Sequence, residues 1–213
     1  HEAARSRLER VYAQRERWSD LVDLLRDRLE RTAAVTEREA VLLHIAELQE
    51  VRLGSVDAAL DTIDTLLGEQ PGAPAAVAAL ERLAEAHEGH RVRIFAVLRP
   101  IYEAIQDVLR LIAVDEWQLT QTEDAAQRHQ IYREIADFYA GVEQGQAYAF
   151  RVLARALAEP GPEGAIEALD AELGRISREN GWLVELRQVQ LESFARDALP
   201  PAERSERTSD ASA

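Results

Sequence analysis

The nearest approach to a metal motif in this chain is His87-Glu88-Gly89-His90. A zinc-binding helix needs two histidines four residues apart, so that both imidazoles leave the same face, with a glutamate beside the first. Here the spacing is three and Gly89 interrupts it, so the segment reads as a polar turn between helices. His44 and His129 fall among apolar periodic positions and read as partly buried or surface histidines rather than ligands. Glu123-Asp124 pairs two carboxylates as a general acid and base would. Thr122, Asp124 and Ala125 also spell a helix start, where a capping side chain and first-turn acids are favoured. Trp18, Trp117 and Trp182 could form an aromatic cage, but at helical spacing their first use is packing between helices. No catalytic, metal or cofactor residue is assigned on these grounds.

What is missing excludes more chemistry. All 25 basic residues are Arg, so there is no phosphate-loop lysine and no Schiff-base amine. With no Cys there is no thiolate, no disulfide and no cysteine-containing zinc site. Neither G-x-S-x-G nor G-x-G-x-x-G occurs. The chain is therefore expected not to be an enzyme. Its 39 acidic residues give a formal charge of -14, a field that repels phosphate backbones and anionic lipids. Nucleic acid is not an expected partner, although Arg91, Arg93 and Arg99 could form a small basic patch. No apolar run reaches the roughly 18 residues that span a bilayer, and no signal-like stretch opens the chain, so no membrane insertion and a cytoplasmic location are expected. The absence of Met, even at position 1, and the use of Arg to the exclusion of Lys suggest a segment of a larger bacterial protein with a GC-rich gene.

The elements that must position any site are helices. Ala, Leu, Glu and Arg dominate, the residues that lose least side-chain freedom in a helix. Apolar residues recur at steps of three and four, as in Leu21, Leu24, Leu25 and Leu29, or Leu60, Ile63 and Leu67, which paints one helix face. Gly and Pro punctuate these segments at Gly54, Pro71-Gly72, Gly89, Gly141, Gly145, Pro160-Gly161-Pro162, Gly181 and Pro200-Pro201. The pattern predicts eleven helices, at 2–15, 18–32, 37–53, 56–69, 74–88, 90–106, 108–122, 125–141, 145–158, 163–179 and 182–198. Pro100 lacks an amide donor and clashes one turn back, so a kink or a restart is expected there. Residues 200–213 have no apolar side chain larger than Ala and are expected to be a flexible tail or linker that makes no core contacts.

The chain also repeats itself. An offset of 90 places Leu8 on Leu98, Tyr12 on Tyr102, Leu21 on Leu111, Leu29 on Leu119 and Arg38 on Arg128. The same register carries Ile45-Ala46 onto Ile135-Ala136, Ala59-Leu60 onto Ala149-Phe150 and Leu67 onto Leu157. A shorter offset of 72 puts Leu8-Glu9-Arg10 on Leu80-Glu81-Arg82. Helices that each carry an apolar face bury it by stacking on their neighbours, which is the logic of a repeat array.

Ala59, Ile63, Leu66 and Pro71 have the spacing of the second helix of a tetratricopeptide repeat, and Ala149, Leu153, Ala156 and Pro160 nearly match it. Leu8, Tyr12 and Trp18, with Leu98, Tyr102 and Val108, resemble the first helix and the turn after it. The pattern departs from the family at Glu9 or Arg99 for the first-helix Gly, and at Leu21 or Leu111 for the small residue of the second helix. The resemblance implies an all-α fold, a right-handed α-solenoid of antiparallel helix pairs over residues 1–199, with repeat units near 8–70 and 98–160. It implies a scaffold whose concave surface holds a partner peptide or helix, basic or apolar in keeping with the chain's acidity. Tyr12, Arg38, Tyr102, Arg128 and Tyr132 are the candidate partner-binding residues, because Tyr and Arg dominate interface energetics. The Lys- and Asn-based clamp for a C-terminal carboxylate is not expected, since Asn180 is the sole Asn. The alternative reading is a regulatory or sensor module of a larger signalling protein or enzyme.

Overall fold

Each apolar stripe becomes a helix, and each Gly or Pro cluster a turn. A computed structural model describes residues 2–197. Over them the chain forms α1 (Glu2–Gln14), α2 (Trp18–Leu29), α3 (Val35–Val51), α4 (Val56–Glu69), α5 (Pro74–Ala86), α6 (Arg91–Ile105), α7 (Val108–Gln121), α8 (Ala125–Ala140), α9 (Gln146–Leu157), α10 (Glu163–Asn180) and α11 (Leu183–Asp197). A single 3₁₀ turn at Glu88–His90 precedes α6, and no strand occurs among the described residues. All eleven predicted helices are present. The expectation for the tail at 200–213 lies outside the described residues.

Pro100 does not restart its helix: α6 runs unbroken from Arg91 to Ile105. Its buried residues Ile94, Leu98 and Tyr102 lie on both sides of the proline, while Pro100 itself is exposed. Packing on either side holds the helix together across the missing hydrogen bond. Asp124 does cap α8, its side chain accepting from the Gln127 amide at 2.7 Å, as the helix-start reading of Thr122, Asp124 and Ala125 anticipates.

The chain divides after Ile105 into two compact units, α1–α6 and α7–α11. In the first, Leu21, Val22 and Leu25 of α2 pack on Val41, Ile45 and Leu48 of α3, with Tyr12, Trp18 and Leu29 at the margin. In the second, Ile112 and Leu119 of α7 meet Ile131, Tyr132 and Ile135 of α8, Ala149, Leu153 and Ala156 of α9, and Leu169, Leu173 and Ile176 of α10.

These two interiors follow one plan. Buried Ile45, Ala59, Ile63 and Leu66 correspond, ninety residues on, to buried Ile135, Ala149, Leu153 and Ala156. The backbone repeats as well. Glu16 and Gln106, the turn residues before α2 and α7, both have φ of 55°. Gly54 and Gln144, before α4 and α9, have φ of 64° and 62°. A glutamine held in the left-handed region costs energy that glycine does not, so the second unit keeps the turn despite losing the residue suited to it. The register then slips by three. The buried stripe Ala76, Leu80, Leu83 and Ala84 of α5 aligns with Leu169, Leu173, Ile176 and Ser177 of α10, and α10 gains an extra turn at its start.

Ala59 and Ala149 are fully enclosed on α4 and α9, helices that pack along α3 and α8. A larger side chain at either must push the pair apart, at a cost of about 1–3 kcal/mol. Ala59→Leu is expected to lower the thermal midpoint and to raise hydrogen exchange most in residues 37–88, with 125–160 protected. Ala149→Leu is expected to loosen the second unit instead. Unchanged midpoints in both would mean that the helix pairs do not close on these alanines.

Candidate functional site

The strongest polar feature is a staple built twice. Arg38 stands on the first turn of α3. Its Nη1 donates to the carbonyls of Leu29, at 2.7 Å, and Thr32, at 3.2 Å, where α2 ends. Its Nε donates to Glu69 Oε2 at 2.9 Å, and its Nη2 to Oε1 of the same carboxylate at the end of α4. Ninety residues on, Arg128 donates from Nη1 to the carbonyls of Leu119 and Thr122, and from Nε and Nη2 to Glu159, at 2.6 Å each. Thr32 and Thr122 hydroxyls bond back to the carbonyls of Arg28 and Gln118 in the same equivalence. The last carbonyls of a helix have no partner within it, and a cation there also meets the negative end of the helix dipole. One guanidinium thus closes the end of one helix and pins it to the end of another.

This places the sequence-predicted residues. Arg38 and Arg128 are staple cations. Tyr132 is buried, and its hydroxyl donates to Glu159 Oε1 at 2.5 Å. Tyr102 is also buried, its hydroxyl donating to Glu81 Oε1 at 2.8 Å. Tyr12 packs half-buried on the first core, with the Arg17 guanidinium 5.1 Å from its ring centre. All five make contacts within the chain. A tyrosine ring fills apolar space while its hydroxyl finds an acceptor, and nothing in the sequence separates that use from recognition. Arg91, Arg93 and Arg99 form no isolated basic patch. Arg91 pairs with Glu88, Arg93 with Asp61 and Asp64, and Arg99 with Glu103.

The remaining histidines divide. His87 and the Arg82 guanidinium both reach Glu50, whose carboxylate is held below its ordinary range chiefly by the Arg82 hydrogen bond. His90 lies 3.6 Å from Asp57. Among the described residues no three His, Asp or Glu side chains converge as a metal set. His44 is half exposed beside Glu47. His129 is fully enclosed, with neither ring nitrogen in hydrogen-bond geometry. Gly161 closes over it so tightly that an added Cβ would lie 1.8 Å from its Cε1.

The first unit also holds an open groove. It is a cavity of about 310 Å³ between α2, α3 and α4. Leu42, Ile45 and Gln49 of α3 make its floor, at steps of three and four. Ala58, Asp61, Thr62 and Thr65 of α4 form one wall, and Arg26 and Leu29 of α2 the other. Gln49 is 3% exposed, and one end of its amide meets the Thr62 hydroxyl at 2.7 Å.

In the second unit the nine equivalent positions carry Glu116, Leu119, Tyr132, Ile135, Tyr139, Tyr148, Arg151, Val152 and Arg155. Arg155 reaches from α9 to α7 and binds both oxygens of Glu116, at 2.7 and 3.1 Å, with its guanidinium 5.3 Å from the Tyr132 ring centre. Tyr139 and Tyr148 stack at 5.3 Å. The second copy spans this groove with its own side chains; the first does not. Arg26, at the Glu116 position, turns instead to Asp23 on its own helix.

The helix pattern says nothing of Gln49, Thr62 and Thr65 as a group. Glu69 and Glu159, the carboxylates of the staples, lie in the same 90-residue register as Arg38 and Arg128, and that register is what could have identified them.

Two groups in the second unit tie its stability to pH. Burial pushes the His129 imidazole below its ordinary 6.5, and the Glu159 carboxylate opposes it. Burial pushes Glu159 up, but hydrogen bonds from Arg128 and Tyr132 outweigh it and hold the carboxyl below its ordinary 4.5. Tyr132 is pushed up to about 12 by burial and by its bond to Glu159. For both His129 and Glu159 the unfolded chain binds more protons, so stability rises with pH. The His129 contribution is lost as pH falls below 6.5, and that of Glu159 as it falls below 4.5. Urea unfolding is expected to show both steps, with His129→Phe removing the upper one. Glu159→Gln should cost about 1–2 kcal/mol at pH 7 and less at pH 3. A flat stability profile from pH 7 to 3 would overturn these assignments.

Compared with known proteins, the chain matches no family model, no curated protein and no solved structure.

Proposed function

We propose that this chain is a protein-interaction scaffold of tetratricopeptide-like helix pairs arranged as a right-handed α-solenoid, and that the α2–α3–α4 groove of its first unit holds a segment of a partner protein. The supporting observation is the divergence of two copies of one plan. Staples, turns and enclosed alanines agree between them, whereas the groove positions differ at seven of nine residues, Leu119 and Ile135 alone matching Leu29 and Ile45. The copy with the smaller side chains keeps the groove open. Sequence differences run through both units, but in this groove they change what fills the space: the second unit bridges it with its own side chains and the first leaves it open, which fits a change of use.

The chain's net charge of -14 favours a basic segment as partner through long-range attraction. No described helix is long and apolar enough to cross a membrane. The chemistry that the sequence lacks, lysine and cysteine above all, supports binding rather than catalysis.

Affinity capture from the source cell's extract, followed by mass spectrometry, tests this reading. The wild-type chain should retain a defined partner. The variant Ala58→Tyr with Thr65→Arg, which copies the second unit's residues into the groove, should retain it about tenfold less, the result of blocking one central contact region. Glu85→Gln, an exposed change on α5, should retain it unchanged. A partner held equally by all three would place the interaction elsewhere on the chain.

A further inference from the structure

The two copies also indicate what the open groove accepts. We infer that it is a receptor for a tyrosine side chain presented by the partner segment, an inference that rests on the partner-binding reading above. Where the first unit has Leu42, Gln49 and Ala58, the second has Tyr132, Tyr139 and Tyr148. In the second unit Tyr132 and Tyr139 pack in one cluster with Ile135 and Leu119, the equivalents of Ile45 and Leu29, and the half-exposed Tyr148 stacks on Tyr139. Its rings are held by stacking and by the guanidiniums of Arg151 and Arg155. The first unit has no ring among its nine lining residues. Its cavity of about 310 Å³ stands at the small end of ligand pockets, which run from about 300 to 1,000 Å³, and so suits one side chain rather than a large ligand.

Gln49 adds a polar requirement. Its amide lines the groove, and only the end facing Thr62 has a hydrogen-bond partner among the described residues. Turning the amide over exchanges oxygen for nitrogen but still leaves one end without a partner. That second end is not sealed from solvent, so a ligand entering the groove displaces water there and gains by replacing its hydrogen bond. A phenol hydroxyl both donates and accepts, so it satisfies either end; a benzyl or aliphatic group satisfies neither. At the mouth, Arg26 and Asp61 offer one charge of each sign to the backbone or flanking residues of the incoming segment.

The inference is tested by titrating the 213-residue chain with p-cresol and with toluene, followed by two-dimensional NMR of backbone and side-chain amides. The expected result is saturable shifts at Gln49, Leu42 and Thr62 with p-cresol, with a Kd on the order of 1 mM for so small a probe. Toluene should bind about five- to tenfold more weakly, and Gln49→Leu should abolish that preference while the chain stays folded. The variant Leu42→Tyr with Ala58→Tyr, which supplies the second unit's rings, should lose p-cresol binding. Absence of saturable shifts, equal affinity for toluene, or p-cresol affinity unchanged in both variants would overturn the inference. If the captured partner is retained by wild type and lost from the groove-filled variant while p-cresol fails to bind, the scaffold reading stands and the tyrosine receptor falls. If p-cresol binds as expected and no partner depends on the groove, the scaffold reading falls alone.

Discussion

Arg38 and Arg128 each join three helix ends at one point, and the geometry of both units depends on that junction. α2 stops where its final carbonyls meet a guanidinium arriving from the first turn of α3, and that guanidinium is itself oriented by a carboxylate at the end of α4. The arrangement suits Arg and not Lys. A planar fork with five donors can serve two carbonyls and both oxygens of a carboxylate at once, whereas an ammonium acts as a point charge with three donors. The alignment of α2, α3 and α4, and so the width of the space between them, follows from where the fork sits. The second unit reinforces its staple with the Tyr132 hydroxyl, which reaches the same carboxylate; the first unit has Leu42 at that position.

That one difference is part of a wider contrast between the two units. Between α7, α8 and α9 the second unit buries Tyr132, stacks Tyr139 on the half-exposed Tyr148, and ties two helices together through Arg155 and Glu116. The same backbone with Leu42, Gln49 and Ala58 leaves a recess, with one end of the Gln49 amide bonded to Thr62. A folded chain tolerates such a recess when the rest of the unit is well packed, and the fully enclosed Ile45, Leu60, Ile63 and Leu66 supply that packing.

Helices, turns and duplication could be read from the sequence because each has a local cause. Periodic apolar residues draw the chain into helices wherever a face can be buried, and Gly or Pro ends them, so all eleven helices follow from spacing alone. The 90-residue register follows in the same way, since equivalent positions in two copies meet equivalent neighbours. What the sequence could not decide is the job of a residue type suited to two. Tyr132, Tyr102 and Arg128 suit an interface as well as a framework, and which acceptors each meets depends on what the fold brings within reach: Glu159 and Glu81 lie 21 to 31 residues away in sequence. Pro100 likewise stays helical because contacts on both sides outweigh its local cost. The groove is the extreme case, for an unfilled space is produced by the side chains that three helices do not carry. Only the tertiary structure sets those absences beside one another, because a volume is defined by all its walls at once and by no segment alone.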